Sequence, residues 1–383
     1  MLNPTPKTWL SQYYFFYFFS YGVYMPFWAI WLKGIGTSTP DIGLLLGLGF
    51  AARCLSNLII PPRISTISRL IPSLRKISAL TLVFFFFYFL ASHSFMVLVA
   101  VTILFNLMLG PGVPISDTLA NYYTKINIID YGRTRSWGSI AFIVGTVVVG
   151  KVIDMIGYIS IPYVALIGLV AALLVILRQP NILPQDDENE VNTANKIALL
   201  PLLKNKQVLW FIVLTALIQG SHAGYYNFSS LYWADAGYSK SSISILWSIG
   251  VLGEIGIFTF GKNLFAKWSI NSLMRLSAIG VMVRWSLLAI TTDPIIMGWV
   301  QLLHGITFAA MHLAAIAYIQ GAASKYMVSL QALYNAISMS AFLAVMSALC
   351  GVIYNIDPTY VFWLMASMGV PALFIKLEKL KLK

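Results

Sequence analysis

Twelve apolar stretches dominate the sequence, and each is long enough to cross the roughly 30 Å hydrocarbon core of a lipid bilayer as a helix. With 59% hydrophobic and only 10% charged residues, such a chain could not bury its apolar side chains inside one water-soluble globule. We therefore predict an all-α membrane protein whose solvent is the lipid bilayer. The stretches cover residues 10–32, 41–61, 74–91, 95–121, 136–157, 160–178, 207–233, 241–261, 272–291, 294–320, 328–354 and 358–376.

An internal repeat relates the first stretch to the seventh, with an offset of 201 positions, as from Tyr24 to Tyr225. The repeat predicts twelve transmembrane helices in two six-helix pseudo-symmetric bundles, residues 1–178 and 207–383. The polar segment 179–206 between them is predicted to be a cytoplasmic linker, and a short cytoplasmic tail ends the second bundle. Further matches at this offset are Phe27 with Phe228, Gly36 with Gly237, Ser38 with Ser239, and Arg53 with Glu254.

Lys and Arg residues concentrate in alternate loops, which predicts that both termini are cytoplasmic because translocated loops are depleted in these residues. Only Lys33, Lys151 and Lys240 fall on the opposite side. The net charge of +12 and the isoelectric point near 9.5 therefore reflect membrane topology. They do not predict a nucleic-acid partner, because no basic patch lies on a soluble domain.

Five ionisable side chains lie within or at the edge of the apolar stretches, where charge is costly and usually functional. Three are arginines and two are carboxylates, which leaves one formal positive charge in excess. That excess suits a monovalent organic anion, whereas a neutral sugar would leave it uncompensated. The five are Arg53, Arg135, Arg284, Asp117 and Glu254.

The spacing of these charges resembles the lactose permease-type proton symporters of the major facilitator superfamily. Asp117 precedes the segment Gly132-Arg-Thr-Arg135-Ser-Trp-Gly138, Gly253 precedes Glu254, and Arg284 is followed twenty positions later by His304. The resemblance implies the major facilitator fold, with Asp117, Arg135 and Glu254 forming one charge-balanced site. It implies that Arg284 and His304 belong to this site, whose two bundles rock to open it alternately on each side of the membrane.

Two departures from that pattern change the expected proton chemistry. Thr307 stands where the family has a proton-accepting glutamate, and Gly224 and Asn227 stand where it has aspartates. The proton relay is therefore incomplete, so any exchangeable proton must reside on Glu254, Asp117 or His304. The loss of acidic partners leaves Arg284 available for a substrate carboxylate.

A second resemblance, to the 3-phenylpropionic acid (hydrocinnamate) transporter family, extends over nearly the whole chain. It includes Pro26-Phe-Trp-Ala-Ile-Trp-Leu-Lys-Gly-Ile-Gly36 and Ser230-Leu-Tyr-Trp233. It implies an inner-membrane permease, acting as a monomer, that imports a small aromatic monocarboxylate with protons. Tyr24 and Trp28 lie one helical turn apart on the first stretch, and Tyr225 lies on the seventh. Both helices line the central cavity in this family, so we expect these rings to stack on the phenyl ring.

The charged residues also allow structural interpretations. A structural ion pair that only holds helices together would equally account for Asp117, Arg135 and Glu254. A cap on backbone carbonyls or a contact with lipid headgroups would equally account for Arg53. A proton-coupled sugar or nucleoside permease and a non-transporting membrane sensor are the alternative functions. We predict no enzyme, cofactor or metal site, because the sequence has no glycine-rich phosphate loop or His-x-x-x-His pattern and only two cysteines.

Glycine and proline cluster on the fourth stretch just before Asp117, at Gly110, Pro111, Gly112 and Pro114. They predict an interrupted helix, because proline removes a hydrogen-bond donor and glycine weakens the helical preference.

Overall fold

The computed structural model describes residues 3–64, 66–91, 94–186, 199–378 and 380, and in these ranges the chain is helical and has no strand. Eleven segments are long and apolar enough to cross a membrane, and a twelfth is apolar but shorter. The prediction of an all-α membrane protein is confirmed, and each predicted stretch coincides with one segment. The segments are α1 (Pro6–Gly34), α2 (Thr39–Arg63), α3 (Ile67–Ala91), α4 (Phe95–Lys125), α5 (Tyr131–Ile156), α6 (Ser160–Leu177), α7 (Lys206–Asp235), α8 (Lys240–Leu264), α9 (Ile270–Ile290), α10 (Pro294–Gln320), α11 (Tyr326–Ile356) and α12 (Pro358–Phe374).

Capping side chains determine where several helices begin. Thr5 accepts a hydrogen bond from the Thr8 amide, and Pro6 occupies the first helical position, where no donor is needed. This cap explains why α1 begins before residue 10, where the hydrophobic pattern alone placed its start. Further capping side chains are Asp130 of α5, Asn205 of α7, Ser269 of α9, Asp293 of α10 and Asp357 of α12.

The repeat is visible in the backbone of two equivalent turns, after α1 and after α7. Gly36 has φ = 91° and Gly237 has φ = 90°, a left-handed conformation that side chains with a Cβ disfavour. The residue after each glycine donates its amide to the carbonyl five residues earlier, at 3.0 Å for Thr37 and 2.9 Å for Tyr238. The 201-residue offset therefore preserves a complete helix-ending motif.

Contacts divide the described residues between two compact units. The first lies within Met1–Thr37, Leu48–Asn192 and Ser239–Ser244, and the second within Ser38–Gly47, Thr193–Tyr238 and Ile245–Lys383. Residues 187–198 of the predicted linker lie outside the described residues.

Close backbone contact joins α1 and α5 in the first unit. A Cβ at Gly22 would collide with the backbone of Phe142, and one at Gly145 would collide with the backbone of Phe19. The Thr146 hydroxyl donates to the Gly22 carbonyl at 2.9 Å. Glycine and threonine are typical of such tight interfaces between membrane helices.

Several segments depart from regular α-helix, among them α4, α10 and α11. As predicted, α4 is interrupted, with one helix ending at Leu109 and the next beginning at Gly112. The Tyr17 hydroxyl donates to the Leu109 carbonyl at 2.9 Å, which satisfies an acceptor left by the break. Both α10 and α11 contain π-helical turns, at Gly305–Ala310 and Tyr334–Ala341, a geometry frequent at functional sites.

Candidate binding site

The charged cluster of the first unit joins α1, α4 and α5. Arg135 Nε lies 3.6 Å from Asp117 Oδ1, and the Tyr14 hydroxyl donates to the same oxygen at 2.7 Å. The guanidinium also lies over the Phe18 ring, 4.1 Å from its centroid. Because both charged side chains remain 27% exposed, this pair is only partly withdrawn from solvent.

Gly138 leaves the space that Arg135 occupies. A Cβ at Gly138 would lie 2.5 Å from Arg135 Nη1 and 2.8 Å from Phe18 Cδ2. The glycine three residues after the arginine therefore has a steric role, because it lets the guanidinium fold back along α5.

Arg53 lies in the first unit beside α1. It donates from Nη1 to the Tyr21 hydroxyl at 2.8 Å and from Nε to the Gly49 carbonyl at 3.5 Å, and its guanidinium lies 4.4 Å from the Phe50 ring centroid. No carboxylate among the described residues pairs with it. Arg53 thus contacts a backbone carbonyl, as one alternative expected, and its membership of a binding site stays a prediction.

Tyr24 and Trp28 lie in the core of the first unit. Their ring centroids are 4.9 Å apart, and both side chains are buried. Asn106 Nδ2 donates to the Tyr24 hydroxyl at 3.2 Å, while Tyr88 contacts Trp28 edge to face at 4.8 Å. Their rings already have aromatic partners, and the predicted contact with a substrate ring stays a prediction.

Arg284 is the centre of a buried polar cluster in the second unit. Its side chain is fully buried. Nη1 donates to His304 Nδ1 at 2.9 Å and to Thr307 Oγ1 at 3.1 Å, and Nη2 donates to Gln301 Oε1 at 3.1 Å. The three acceptors recur every third residue, so one face of α10 surrounds the guanidinium.

The hydrogen-bond directions determine the tautomer of His304. An arginine only donates, so Nδ1 of His304 must accept and the ring proton must reside on Nε2. That nitrogen lies 3.7 Å from Glu254 Oε2. The neutral imidazole therefore connects the guanidinium to the carboxylate.

His222 extends this cluster on the other side of Thr307. Its Nδ1 lies 3.1 Å from the Ile218 carbonyl and 3.2 Å from the Gln219 carbonyl, so it carries the proton. Its Nε2 lies 3.0 Å from Thr307 Oγ1 and must accept from that hydroxyl. The Thr307 hydroxyl thus accepts from Arg284 and donates to His222.

Two aromatic rings lie beside the guanidinium. Its central carbon lies 4.5 Å from the Tyr225 ring centroid and 4.3 Å from that of Trp285. Asn227, two residues beyond Tyr225, instead donates to the Ser347 hydroxyl at 2.6 Å. Tyr225 therefore contacts Arg284, whereas Asn227 faces α11.

The cluster has unused hydrogen-bonding capacity around a buried cation. The buried atoms Arg284 Nε, Gln301 Nε2 and Tyr225 Oη have no hydrogen-bond partner among the described residues, and no carboxylate there forms an ion pair with Arg284. A buried cation is costly unless its charge is compensated, and Glu254, the carboxylate of the cluster, lies beyond His304. The arrangement is suited to receive an anion.

The structure thus gathers the predicted residues into two clusters, Asp117 with Arg135 and Arg284 with His304, Glu254 and Tyr225. That Glu254 shares one site with Asp117 and Arg135 remains a prediction.

Four contributing residues were not predicted from the sequence: Tyr14, Phe18, His222 and Gln301. For α10, the three-residue spacing of Gln301, His304 and Thr307 was a signal that could have found Gln301. Among the described residues, no group of three or more His, Cys, Asp or Glu could hold a metal.

Proteins that are similar to this chain in sequence or in structure bear the names of membrane transporters. The chain is 41% identical over 369 residues to a protein of Escherichia coli (strain K12) named "Probable 3-phenylpropionic acid transporter", covering 96% of each chain. It is 25% identical over 293 residues to the maltose permease of Geobacillus stearothermophilus, covering 75% of this chain and 72% of that protein. The crystal structure of the nucleoside transporter NupG superposes with a TM-score of 0.81 at 16% identity, covering 96% of this chain and 97% of the other, which shows a shared fold.

The family model described as "MFS_1 like family" matches residues 7–365. With the multi-pass helical architecture, this match confirms the predictions of a major facilitator fold and of a transporter in place of an enzyme. The chain belongs to the MFS_1-like family of major facilitator transporters.

Proposed function

We propose that this protein is a secondary active transporter that imports a small aromatic monocarboxylate, of the 3-phenylpropionate type, by proton symport with alternating access. The observation that carries the proposal is the buried Arg284, which has three neutral acceptors and no carboxylate partner among the described residues. The name of the relative that is 41% identical supports the substrate class.

A substrate carboxylate would supply what the Arg284 cluster lacks. Its negative charge would compensate the guanidinium, and its oxygens would accept from Arg284 Nε and from other unpaired donors of the cluster. The phenyl ring would lie against Tyr225 or Trp285, whose rings already contact the guanidinium. A neutral sugar would leave the buried charge uncompensated.

Proton coupling would act through His304. Protonation of its Nδ1 would place an N–H against the N–H of Arg284 Nη1. His304 therefore cannot be protonated at Nδ1 while the 2.9 Å hydrogen bond from Arg284 is present. A proton that arrives at Nδ1 would release Arg284 toward the substrate, and Glu254, beside the Nε2–H, would stabilise the imidazolium. Asp117, which pairs with Arg135, is the other candidate carrier.

The remaining parts of the proposal concern topology. The transporter would lie in the inner membrane as a monomer with both termini in the cytoplasm. Residues 1–178 and 207–383 would be the two halves that rock around the binding site, joined by the linker 179–206.

Two alternative functions predict different outcomes. A nucleoside or sugar permease would resemble NupG or the maltose permease in substrate, but a 16% identical structure supports only the fold. A non-transporting sensor would bind substrate without moving it across the membrane.

The test is uptake of labelled 3-phenylpropionate into proteoliposomes with an imposed pH gradient, alkaline inside. We expect accumulation driven by the gradient, competition by unlabelled aromatic acids, and none by lactose or uridine. Arg284→Gln should abolish uptake. Arg275→Gln, which changes an exposed arginine of the same helix, should not.

Competition by uridine or lactose in place of aromatic acids would favour the alternative permeases, and binding without uptake would favour the sensor. Full uptake by Arg284→Gln would refute the role of the guanidinium. Unchanged proton-driven accumulation by Glu254→Gln would remove Glu254 from the coupling pathway.

A further inference from the structure

A groove of about 590 Å³ lies between α7 and the segment from Pro371 to Glu378, and the Arg284 cluster uses none of its lining residues. One wall is a stripe of Lys206, Trp210, Val213 and Leu217 on α7. Their spacing of four, three and four residues places them on one helix face. At 1.5 Å per residue the stripe is about 16 Å long, with its charge at one end and apolar side chains along the rest.

The opposite wall repeats this division. Pro371 and Phe374 of α12 and the following Ile375 are apolar, and Lys376 comes next. Phe374 is 82% exposed, as expected for a side chain that faces lipid. Lys206 is the first residue of α7 and Lys376 follows the end of α12, so both ammonium groups lie where apolar spans meet the polar boundary of the bilayer.

The groove has an excess of positive charge. Neither Lys206 nor Lys376 forms an ion pair or a side-chain hydrogen bond with a described residue. The one carboxylate of the lining, Glu378, accepts a hydrogen bond from Gln207 Nε2 at 3.3 Å, and the Glu378 amide donates to Gln207 Oε1 at 3.0 Å. These bonds attach the chain end to α7 and leave both lysines available.

We infer that this groove binds an anionic phospholipid, with the phosphate between Lys206 and Lys376 and an acyl chain along Trp210, Val213 and Leu217. Basic pockets between membrane helices bind anionic headgroups at the polar boundary of the bilayer. The apolar stripe distinguishes a lipid from a soluble phosphate, which would leave that wall uncovered. A zwitterionic lipid carries its own ammonium group and would gain less from the two lysines.

The experiment measures binding of phosphatidylglycerol to the purified, delipidated full-length protein by native mass spectrometry, with phosphatidylcholine as the reference lipid. We expect the wild-type protein to prefer phosphatidylglycerol. The double variant Lys206→Gln/Lys376→Gln should bind it roughly 25-fold more weakly, since each lysine near an anionic headgroup contributes about fivefold. The matched control Lys204→Gln/Lys267→Gln removes two exposed lysines outside the groove and should bind like wild type.

A second variant tests the apolar wall while both charges stay in place. Val213→Trp should fill the path of the acyl chain and weaken phosphatidylglycerol binding, while soluble glycerol phosphate should not compete with the lipid. The inference is overturned if both lipids bind equally to the wild type, if the Lys206/Lys376 variant binds like its control, or if glycerol phosphate displaces the lipid.

Discussion

The hydroxyl of Thr307 offers the sharpest test of the buried cluster, because Thr307→Val removes it without changing the shape of the side chain. In the structure this oxygen accepts from Arg284 Nη1 at 3.1 Å and lies 3.0 Å from His222 Nε2. The substitution leaves one guanidinium N–H and one imidazole nitrogen without a partner. Thr307 is fully buried, so water does not compensate.

The expected loss follows from these two contacts. A hydrogen bond from a charged donor contributes about 1.5–3 kcal/mol, and an unsatisfied buried acceptor costs about 1–3 kcal/mol, so Thr307→Val should lower the free energy of unfolding by about 3–5 kcal/mol. Thr307→Ser keeps the hydroxyl and loses one methyl group, which costs about 1 kcal/mol. Thr215→Val should also lower the free energy of unfolding by only about 1 kcal/mol, because the Thr215 hydroxyl forms hydrogen bonds only with neutral groups.

The assay is thermal unfolding of the four proteins in one detergent. At about 2–4 °C per kcal/mol for a unit of this size, Thr307→Val should melt about 10 °C below the wild type, and the two other variants only a few degrees below it. If Thr307→Val melts together with Thr215→Val, the hydroxyl is not the bridge between the guanidinium and the imidazole.

Three further predictions concern the first unit and the turns. Gly138→Ala should reduce uptake of labelled 3-phenylpropionate about tenfold, because the new methyl group displaces the guanidinium that folds over this glycine. Gly36→Ala and Gly237→Ala should each lower the stability by about 1–2 kcal/mol in thermal melts, because both backbones are left-handed. The hydrogen bonds from Ser68 lower the pKa of Asp186. Their contribution to folding stability is therefore present above about pH 4 and is lost as the pH falls through the lower folded-state pKa. Amide hydrogen exchange at Ser68, measured against pH, will report this loss.

Matched changes serve as controls for these predictions. Gly132→Ala lies on the same helix as Gly138 but meets only ordinary contacts, and it should retain wild-type uptake. Gly256→Ala enters open space within a helix and should not lower the melting temperature. Equal uptake by the Gly138 and Gly132 variants would contradict the steric argument, and equal melting of the Gly36 and Gly256 variants would contradict the backbone argument. Asp186→Ala should expose the Ser68 amide at neutral pH, and continued protection would exclude the carboxylate as its partner.

Helix number and position were predictable because lipid imposes a minimum apolar length on every span. The start of α1 was not, since Thr5 and Pro6 extend the helix beyond its hydrophobic pattern. Likewise, the break in α4 followed from its glycines and prolines, whereas the π-helical turn beside His304 has no comparable signal in the sequence.

The candidate site was only partly predictable for a related reason. The twenty-residue spacing from Arg284 to His304 pointed to the pair that lies 2.9 Å apart. No such spacing pointed to His222, because its role depends on Thr307, a partner 85 positions away that only the tertiary structure brings within 3.0 Å. Burial of the aromatic rings could not be predicted either, because helical periodicity in the sequence does not distinguish a ring in a bundle core, such as Trp28, from one that faces a cavity.

The contact of α1 with α5 through Gly22 and Gly145 has a consequence for ligand recognition. With backbone against backbone there, neither helix can slide along or rotate against the other without a collision. The backbone positions from which Tyr14 and Arg135 project therefore stay fixed relative to each other, and in the proposed transporter these side chains would meet an incoming anion already aligned. Little entropy would then be lost in assembling this part of the site, and its affinity would derive from preorganisation more than from the number of contacts.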